Sequence, residues 1–314
     1  MEVNQIFDVL PAEILCYIFQ YLRIEDALKV SEVCKYFREL ITYAPIYDYD
    51  RKFEVTKVTT MILNCPSYII YSDINDSIPN NYLVNLFRKK RIELVNNITD
   101  VSPFSQAKEV SVYGVNMVDN FEYLKDVKRL ILTNVELDLL VLDKVKYLEI
   151  DNVDINNIEG YNNLKYLKAD KCEEDANFIE NFINLEKLSV SDYMGEESLN
   201  LSGLKNLKYL CIGKNSKDKI IGFEKLDELE EIEITYPSLY YGEYSKKIKT
   251  MENLKKINVV LNLRDWDLMR CDLYDDYEAE EEDEDENDDT IINNIIKKLI
   301  PNGCEIKYNG YVNW

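Results

Sequence analysis

Histidine is absent from all 314 residues. Without imidazole there is no Ser-His-Asp triad, no Cys-His nucleophile pair and no histidine metal ligand, and the commonest general acid/base at neutral pH is missing. An enzyme is therefore not expected, and neither is a cofactor. Cations are also scarce: 37 Lys+Arg stand against 59 Asp+Glu, a net charge of −22. Such a chain is repelled by phosphate backbones and anionic membrane surfaces, which argues against nucleic-acid and membrane partners. The seven cysteines (Cys16, Cys34, Cys65, Cys172, Cys211, Cys271 and Cys304) are odd in number, widely spaced and without a C-x-x-C. That argues against a disulfide framework and a zinc site and for a reducing compartment. The longest nearly uncharged stretch, Val55 to Ser72, is interrupted by Lys57, Asn64 and Pro66 and is too broken to span a bilayer. The opening Met1-Glu2-Val3-Asn4 shows no basic region followed by an apolar run, so no signal peptide is expected. A cytoplasmic or nuclear location follows as the expectation.

Apolar residues make up 46% of the chain, enough for a sizeable core. Pro11 sits where a helix can begin, because a first-turn residue needs no N–H donor. Ile14, Leu15, Ile18, Phe19 and Leu22 follow at helical spacing and read as one apolar side. Asp26 ahead of Ala27, Leu28 and Val30 predicts a short second helix. Ser31 as N-cap predicts a third, with Val33, Phe37, Leu40 and Ile41 on its apolar face. A unit this small rarely buries enough surface to stand alone. It either packs on the rest of the chain or docks on a partner.

From about Tyr43 to Asp272 the chain repeats. The spacing L-x-x-L-x-[LIVA] recurs at Val127-Leu130-Leu132, Val145-Leu148-Ile150, Leu164-Leu167-Ala169, Leu185-Leu188-Val190, Leu207-Leu210-Ile212, Leu229-Ile232-Ile234 and Leu254-Ile257-Val259. A further apolar residue lies three before each triplet: Leu124, Leu142, Tyr161, Phe182, Leu204, Leu226 and Met251. Weaker copies precede at Val110-Val112, Ile92-Leu94 and Met61-Leu63. Chance does not hold period and internal spacing together. Each alternating stretch reads as a short strand whose apolar residues point into a core. One unit cannot cover its own apolar face, whereas stacked units can, as a parallel sheet along one side of a solenoid. The aromatics Tyr43, Tyr47, Tyr49 and Phe53 suit a rigid junction between helices and repeats. The cluster Arg88-Lys89-Lys90-Arg91 reads as the solvated end of a helix beginning near Pro79.

Between Asp272 and Asp289 thirteen acids occur with no Lys or Arg. This predicts a solvated, disordered insertion, and it fails as an EF-hand because Asp288 stands where Gly is needed. Ile291, Ile292, Ile295, Ile296 and Leu299 resume helical spacing, Pro301-Asn302-Gly303 breaks it, and Cys304, Ile306 and Tyr308 alternate like a last strand. The expected domains are residues 5–45 (helical), 46–271 (repeats), 272–289 (acidic insertion) and 290–314 (final repeat and cap).

The stretch from Leu10-Pro11-Ala12-Glu13-Ile14-Leu15 through Ile18-Phe19-Gln20-Tyr21-Leu22, then Asp26-Ala27-Leu28, then Val33-Cys34-Lys35-Tyr36-Phe37-Arg38, closely resembles an F-box. Ala27 departs from the commoner Leu and is expected to loosen one contact. The repeats resemble leucine-rich repeats. The expected fold is α/β: an N-terminal three-helix F-box followed by a leucine-rich-repeat solenoid with a parallel sheet on the concave side. The pairing implies the substrate receptor of an SCF-type ubiquitin ligase, with no catalytic residue of its own. The F-box would dock on a Skp-family adaptor, and through it a cullin, by Leu10, Pro11, Ile14, Ile18, Phe19, Leu22, Leu28 and Val33. The alternative is a non-degradative binding scaffold, or an inhibitor that sequesters the ligase. The abundance of Asn, Ile, Lys and Tyr with few Gly and Pro is that of an AT-rich genome, such as a protist or a large DNA virus of protists.

On the outward face of the predicted strands Tyr147, Tyr166 and Tyr209 recur, with Lys168, Lys187, Asp151 and Asp170 nearby. Tyrosine buries much area at small entropic cost and is a favoured interface anchor. These seven residues are the expected contact surface for a protein substrate whose identity the sequence does not reveal.

Overall fold

Helix α1 (Ala12–Phe19) starts where proline allows it. Pro11 is the N-cap, in extended conformation, and its carbonyl accepts from the Ile14 and Leu15 N–H groups at 3.0 and 3.2 Å. The structure, a computed structural model, describes residues 10–47, 52–55, 64–71, 80–95, 98, 101–114, 121–137, 140–155, 157–171, 176–192, 198–213, 220–235, 244–248, 250–260 and 305–309. Helix α2 (Ile24–Val33) carries Glu25 and Asp26 in its first turn, where carboxylates suit the helix dipole. Ser31 does not start the third helix. It lies buried inside α2, and its hydroxyl donates to the Leu28 carbonyl at 2.6 Å. The break comes at Cys34, which is extended, and its Sγ accepts from the Phe37 N–H at 3.4 Å. A sulfur thus takes the capping role expected of the serine hydroxyl. Helix α3 (Lys35–Tyr43) ends at Ala44 because Pro45 follows and disfavours helical geometry in the residue before it.

The helical core is Leu15, Phe19, Ile24, Ala27, Phe37 and Ile41, with Phe19 and Phe37 edge to face at 5.5 Å. Ala27, expected to leave a loose contact, has no exposed surface. The segment after α3 is tied on both sides. Tyr47 N–H donates to the Gln20 carbonyl at 3.0 Å, and Ile46 N–H donates to Asn64 at 2.9 Å. Tyr43 contributes backbone only to the description, and Tyr49 lies outside the described residues.

The chain forms two compact units: Met1–Val145 with Ile155–Gly160, and Lys146–Asp154 with Tyr161–Trp314. In the first, strands β1 (Phe53–Val55), β2 (Ser67–Ile70), β3 (Arg91–Val95), β4 (Glu109–Tyr113) and β5 (Arg129–Leu137) pair in that order, all parallel. Helix α4 (Asn80–Phe87) connects β2 to β3, and short 3-10 turns at Ser102–Phe104 and Phe121–Asp126 precede β4 and β5. An aromatic chain runs through this core. Phe53 meets Tyr68 at 6.2 Å, Tyr68 meets Phe87 at 4.9 Å and Phe87 meets Phe104 at 5.2 Å. The fully buried Tyr68 phenol accepts from the Cys65 N–H at 2.8 Å, so its burial leaves no orphan oxygen. A small parallel pair, β6 (Leu140–Val141) and β8 (Ile158–Glu159), completes the unit.

The second unit stacks β7 (Tyr147–Ile155), β9 (Tyr166–Asp170), β10 (Lys187–Ser191), β12 (Tyr209–Ile212), β14 (Glu231–Thr235), β15 (Lys256–Val260) and β16 (Glu305–Asn309), again parallel. A second small pair joins β11 (Leu199–Asn200) to β13 (Ile220–Ile221), and a short helix α5 (Tyr244–Ile248) precedes β15. Each of the seven clear sequence triplets is a strand with its apolar members buried. The register is constant: Leu148, Leu167, Leu188, Leu210, Ile232 and Ile257 form one continuous inward row. Buried apolar rows of this kind contribute about 25 cal/mol per Å² covered, and neighbouring strands supply part of the cover. Met61-Leu63, the acidic run at 272–289 and the helical spacing at 291–299 lie outside the described residues. The alternation expected around Ile306 is strand β16.

Successive repeats share a left-handed residue, just after β4, β9 and β10 and within the long strands β5 and β7: Gly114, Lys171, Asp192, Asn134 and Asn152 all have φ between 48° and 61°. Asn and Asp tolerate that region best after glycine, so Lys171 is the strained member. Gly222 is constrained differently. Its φ is +80°, and a Cβ there would stand 2.6 Å from Asn200 Oδ1 and 2.9 Å from Ser202 N. Gly222→Ala is expected to destabilise the fold by about 1–3 kcal/mol. Gly203→Ala, whose Cβ meets nothing closer than 3.7 Å, should leave stability nearly unchanged. Thermal unfolding of the two variants side by side checks this, and equal midpoints would refute it.

Candidate functional site

Helix α1 has two apolar faces. Leu15 and Phe19, four apart, point inward and are 4% and 5% exposed. Ile14 and Ile18, also four apart but one residue out of phase, are 45% and 46% exposed. Phe19 was expected on the docking face with them, but it belongs to the core, held by Phe37. The reason is phase: spacing of i, i+1, i+4, i+5 spans more than one side of a helix, and only the Leu15/Phe19 half meets α3. Leu10, Pro11, Leu28 and Val33 are exposed and Leu22 is partly exposed, so seven of the eight expected adaptor residues have accessible surface. Tyr17 and Tyr21 extend the open face of α1. Their rings meet edge to face at 5.4 Å, and the Tyr21 hydroxyl donates to Tyr17 Oη at 3.2 Å. That bond, with some loss of hydration and the neighbouring Tyr17 charge, raises the Tyr21 phenol above its ordinary pKa.

This concentration is unusual within the molecule. Thirteen large apolar side chains stand exposed among the described residues, and nine of them lie between Leu10 and Tyr47. Scattered exposed apolar residues need no explanation, but a contiguous patch on one small helical unit marks an interaction surface. Residues 7–47 match the family model described as F-box-like. The chain carries an F-box-like domain. No curated protein is similar to the chain. The matched segment contains all three helices and every exposed residue of the α1–α2 face.

The second candidate is the outward face of the sheet in the second unit. Tyr147, Tyr166, Lys187 and Tyr209 fall in one register row across β7, β9, β10 and β12. Lys168 stands in the next row, between Glu149 and Ser189, and Asp151 and Asp170 share the row after it. All seven expected contact residues are therefore neighbours on one face. Several of them are also engaged with each other and with carboxylates not singled out from the sequence. Tyr147 and Tyr166 stack at 4.3 Å with ring planes 5° apart. The Tyr147 hydroxyl donates to Glu149 at 3.0 Å, and Lys168 Nζ donates to the same carboxylate at 2.7 Å. That bond, opposed by partial burial, holds the Lys168 ammonium above its usual pKa. The Tyr209 hydroxyl donates to Glu233 at 3.3 Å, and burial pushes its phenol far up. Lys171 reaches Asp151 at 3.4 Å.

The electrostatics of this face generate two expectations. Burial, then the nearby Asp151 and Asp192 carboxylates, raise the Asp170 pKa above the usual carboxylate value. A carboxyl raised in the folded state binds protons that the unfolded state has lost, so it weakens folding as pH rises through that interval. Asp170→Asn should raise the unfolding midpoint at pH 7, with the gain vanishing in acid below the ordinary carboxylate range. An unchanged midpoint at both pH values would refute the cause. Burial likewise pushes the Cys211 thiol up to about 11. Since only the thiolate attacks alkylating reagents, Cys211 should react at pH 8 on the order of a hundredfold more slowly than a free thiol. Peptide mapping after timed iodoacetamide treatment measures that rate.

Proposed function

We propose that this chain is the substrate-receptor subunit of an SCF-type ubiquitin ligase and has no catalytic residue of its own. The observation that carries the reading is the set of exposed apolar residues on an F-box-like domain: Leu10 ahead of α1, Ile14 and Ile18 on α1, and Leu28 and Val33 on α2. F-box domains typically bind Skp-family adaptors, which join them to a cullin. Half-exposed side chains of this size each gain about 1 kcal/mol or more when a partner covers them. Five or six such residues suffice for a specific complex once the cost of association is met.

The parallel units behind the F-box-like domain are read as leucine-rich repeats, and their outward face as the substrate surface. Receptor function needs only that a bound protein be held near a charged conjugating enzyme. That converts a bimolecular encounter into an effectively intramolecular one. The tie from Tyr47 N–H to Gln20, and from Ile46 N–H to Asn64, supports this by fixing the F-box-like helices to the first strands. A floppy connection would dilute the effective concentration.

Ile14→Asp combined with Ile18→Asp should cost roughly 2–4 kcal/mol of binding to a purified Skp-family adaptor. The unfolding midpoint should stay close to that of the parent, because both residues are already in contact with water. Phe19→Ala should instead unfold the helices, at about 3–5 kcal/mol. Calorimetric titration with adaptor, alongside thermal melts, separates the two. Undiminished adaptor binding by the folded double variant would sink the reading.

A further inference from the structure

The two units carry charged surfaces of opposite sign. In the first, a cleft of about 320 Å³ is lined by Lys89, Lys90, Arg91 and Lys108 and by no acid, and the Lys108 N–H donates to the Lys90 carbonyl at 2.8 Å. In the second, carboxylates press on one another across the outward sheet face.

Two of these carboxylates differ from the rest in their surroundings. Asp170 ends β9, in register with Asp151 on β7 and Ser191 on β10. Burial, then Asp151 and Asp192, raise its carboxyl, and the opposing influence of Lys171 and Lys168 does not offset them. Glu233, on β14, is partly buried and accepts from the Tyr209 hydroxyl at 3.3 Å and from Cys211 Sγ at 3.7 Å. Both donors are neutral, and among the described residues Glu233 makes no ion pair. Glu149 and Glu231, by contrast, are matched by Lys168 and Lys256.

Between Asp170 and Glu233 lie β10 and β12, whose outward side chains there are small. Ser189 faces Cys211, and Cys211 faces Glu233. Gly213 follows with no side chain, so close to Ser191 that a Cβ would stand 2.7 Å from the serine Cβ. Tyr166, fixed by its stack on Tyr147 at 4.3 Å, and Tyr209 stand in the row beside this floor. Lys168 Nζ is drawn towards β7 by Glu149 at 2.7 Å, and Lys187, exposed in the tyrosine row, disfavours a cation on that side. Three strand intervals of about 4.8 Å separate β9 from β14, so the two carboxylates stand on the order of 14 Å apart along the sheet. Among the described residues no three carboxylates or thiols converge as a metal ion requires, so these acids suit cations held apart.

We propose that this part of the sheet face docks an extended protein segment carrying two basic side chains, one over Asp170 and one over Glu233. The proposal rests on the reading of this face as the substrate surface and adds the chemistry of what it takes. An extended chain advances about 3.4 Å per residue, so basic residues four apart, on one side of the segment, also span about 14 Å. The small floor residues let the backbone between them approach. Arginine suits both ends, since its planar guanidinium pairs with a carboxylate and packs on tyrosine rings. One cation relieves the crowding around Asp170, and the other gives Glu233 a counter-charge. The net charge of −22 draws a basic segment in from a distance.

Fluorescence polarisation with the full chain and labelled Gly/Ala heptapeptides tests this. One peptide carries two arginines four residues apart. In three others both are replaced by glutamine, by glutamate or by leucine, and in a last one the arginines are adjacent. The spaced arginine peptide should bind saturably, at least about tenfold more tightly than the glutamine peptide, and more weakly as salt rises. Glu233→Gln and Asp170→Asn should each weaken it about five- to tenfold. Asp170→Asn is expected to melt no lower than the parent, so its loss of binding is not loss of fold. Glu252→Gln, which removes an exposed carboxylate from the turn before β15, should leave binding unchanged. Equal weakening by Glu252→Gln, indifference to both site variants, no preference over the glutamine peptide, or equal binding of the adjacent arginines overturns the proposal. Preferred binding of the glutamate or leucine peptide, lost with Tyr166→Ala, overturns the basic class and keeps the face as a binding surface. The adaptor titration of the Ile14→Asp, Ile18→Asp variant reads the receptor assignment separately.

Discussion

A strand whose alternate residues are apolar cannot bury its own inner face. That constraint governs most of this molecule. Leu148 is covered only because Leu167 lies beside it, and Leu167 only because Leu188 does. The turn behind each strand supplies the other half of the cover through residues such as Phe182 and Leu204. Stability is therefore collective: no single repeat holds together without its neighbours. The same stacking fixes the outward residues into rows, because one shared register serves both faces of the sheet.

The helical unit obeys a different arithmetic. Three short helices have little interior, and Leu15, Phe19, Ala27, Phe37 and Ile41 fill it. What remains apolar on α1 and α2 has nowhere inside to go. Ile14 and Ile18 stay exposed because the core is already occupied, while the unit remains ordered by its backbone ties to the first strands. A surface with these properties is rigid before it binds, so little ordering entropy opposes docking.

The strands were legible because the period-two alternation and the extra apolar residue three positions earlier leave few alternative readings. Strands β1 and β2 escaped because Phe53–Val55 is only three residues long and β2 carries Cys65 and Tyr68 where the clear copies have aliphatic residues. The two faces of α1 were not separable, since Ile14-Leu15 and Ile18-Phe19 are equally apolar and only contact with α3 decides which half turns inward. Ser31 looked like a cap because serine usually caps; Cys34 does so here because the chain is extended at that point. The tyrosine row was legible once the register was known, but its partners Glu149 and Glu233 were not, because nothing in a strand's pattern says which outward neighbours will pair. The convergence of Lys90 and Lys108 was hidden for the same reason: sequence shows the period, whereas the depth and composition of a cleft between turns depend on the folded path.

The two outward regions differ in how their charge is settled, and the difference bears on recognition. On the second unit's sheet, Glu149 accepts from both Tyr147 and Lys168, and Glu233 from both Tyr209 and Cys211. These side chains are held by one another, so the stacked rings of Tyr147 and Tyr166 meet an arriving protein in a fixed position. A partner there gains by covering aromatic area and must match hydrogen bonds already made. In the basic cleft of the first unit, Lys89, Lys90 and Lys108 make no ion pair among the described residues. Neutralised networks select by shape and leave on-rates modest, while unneutralised charge attracts at a distance and fades with salt.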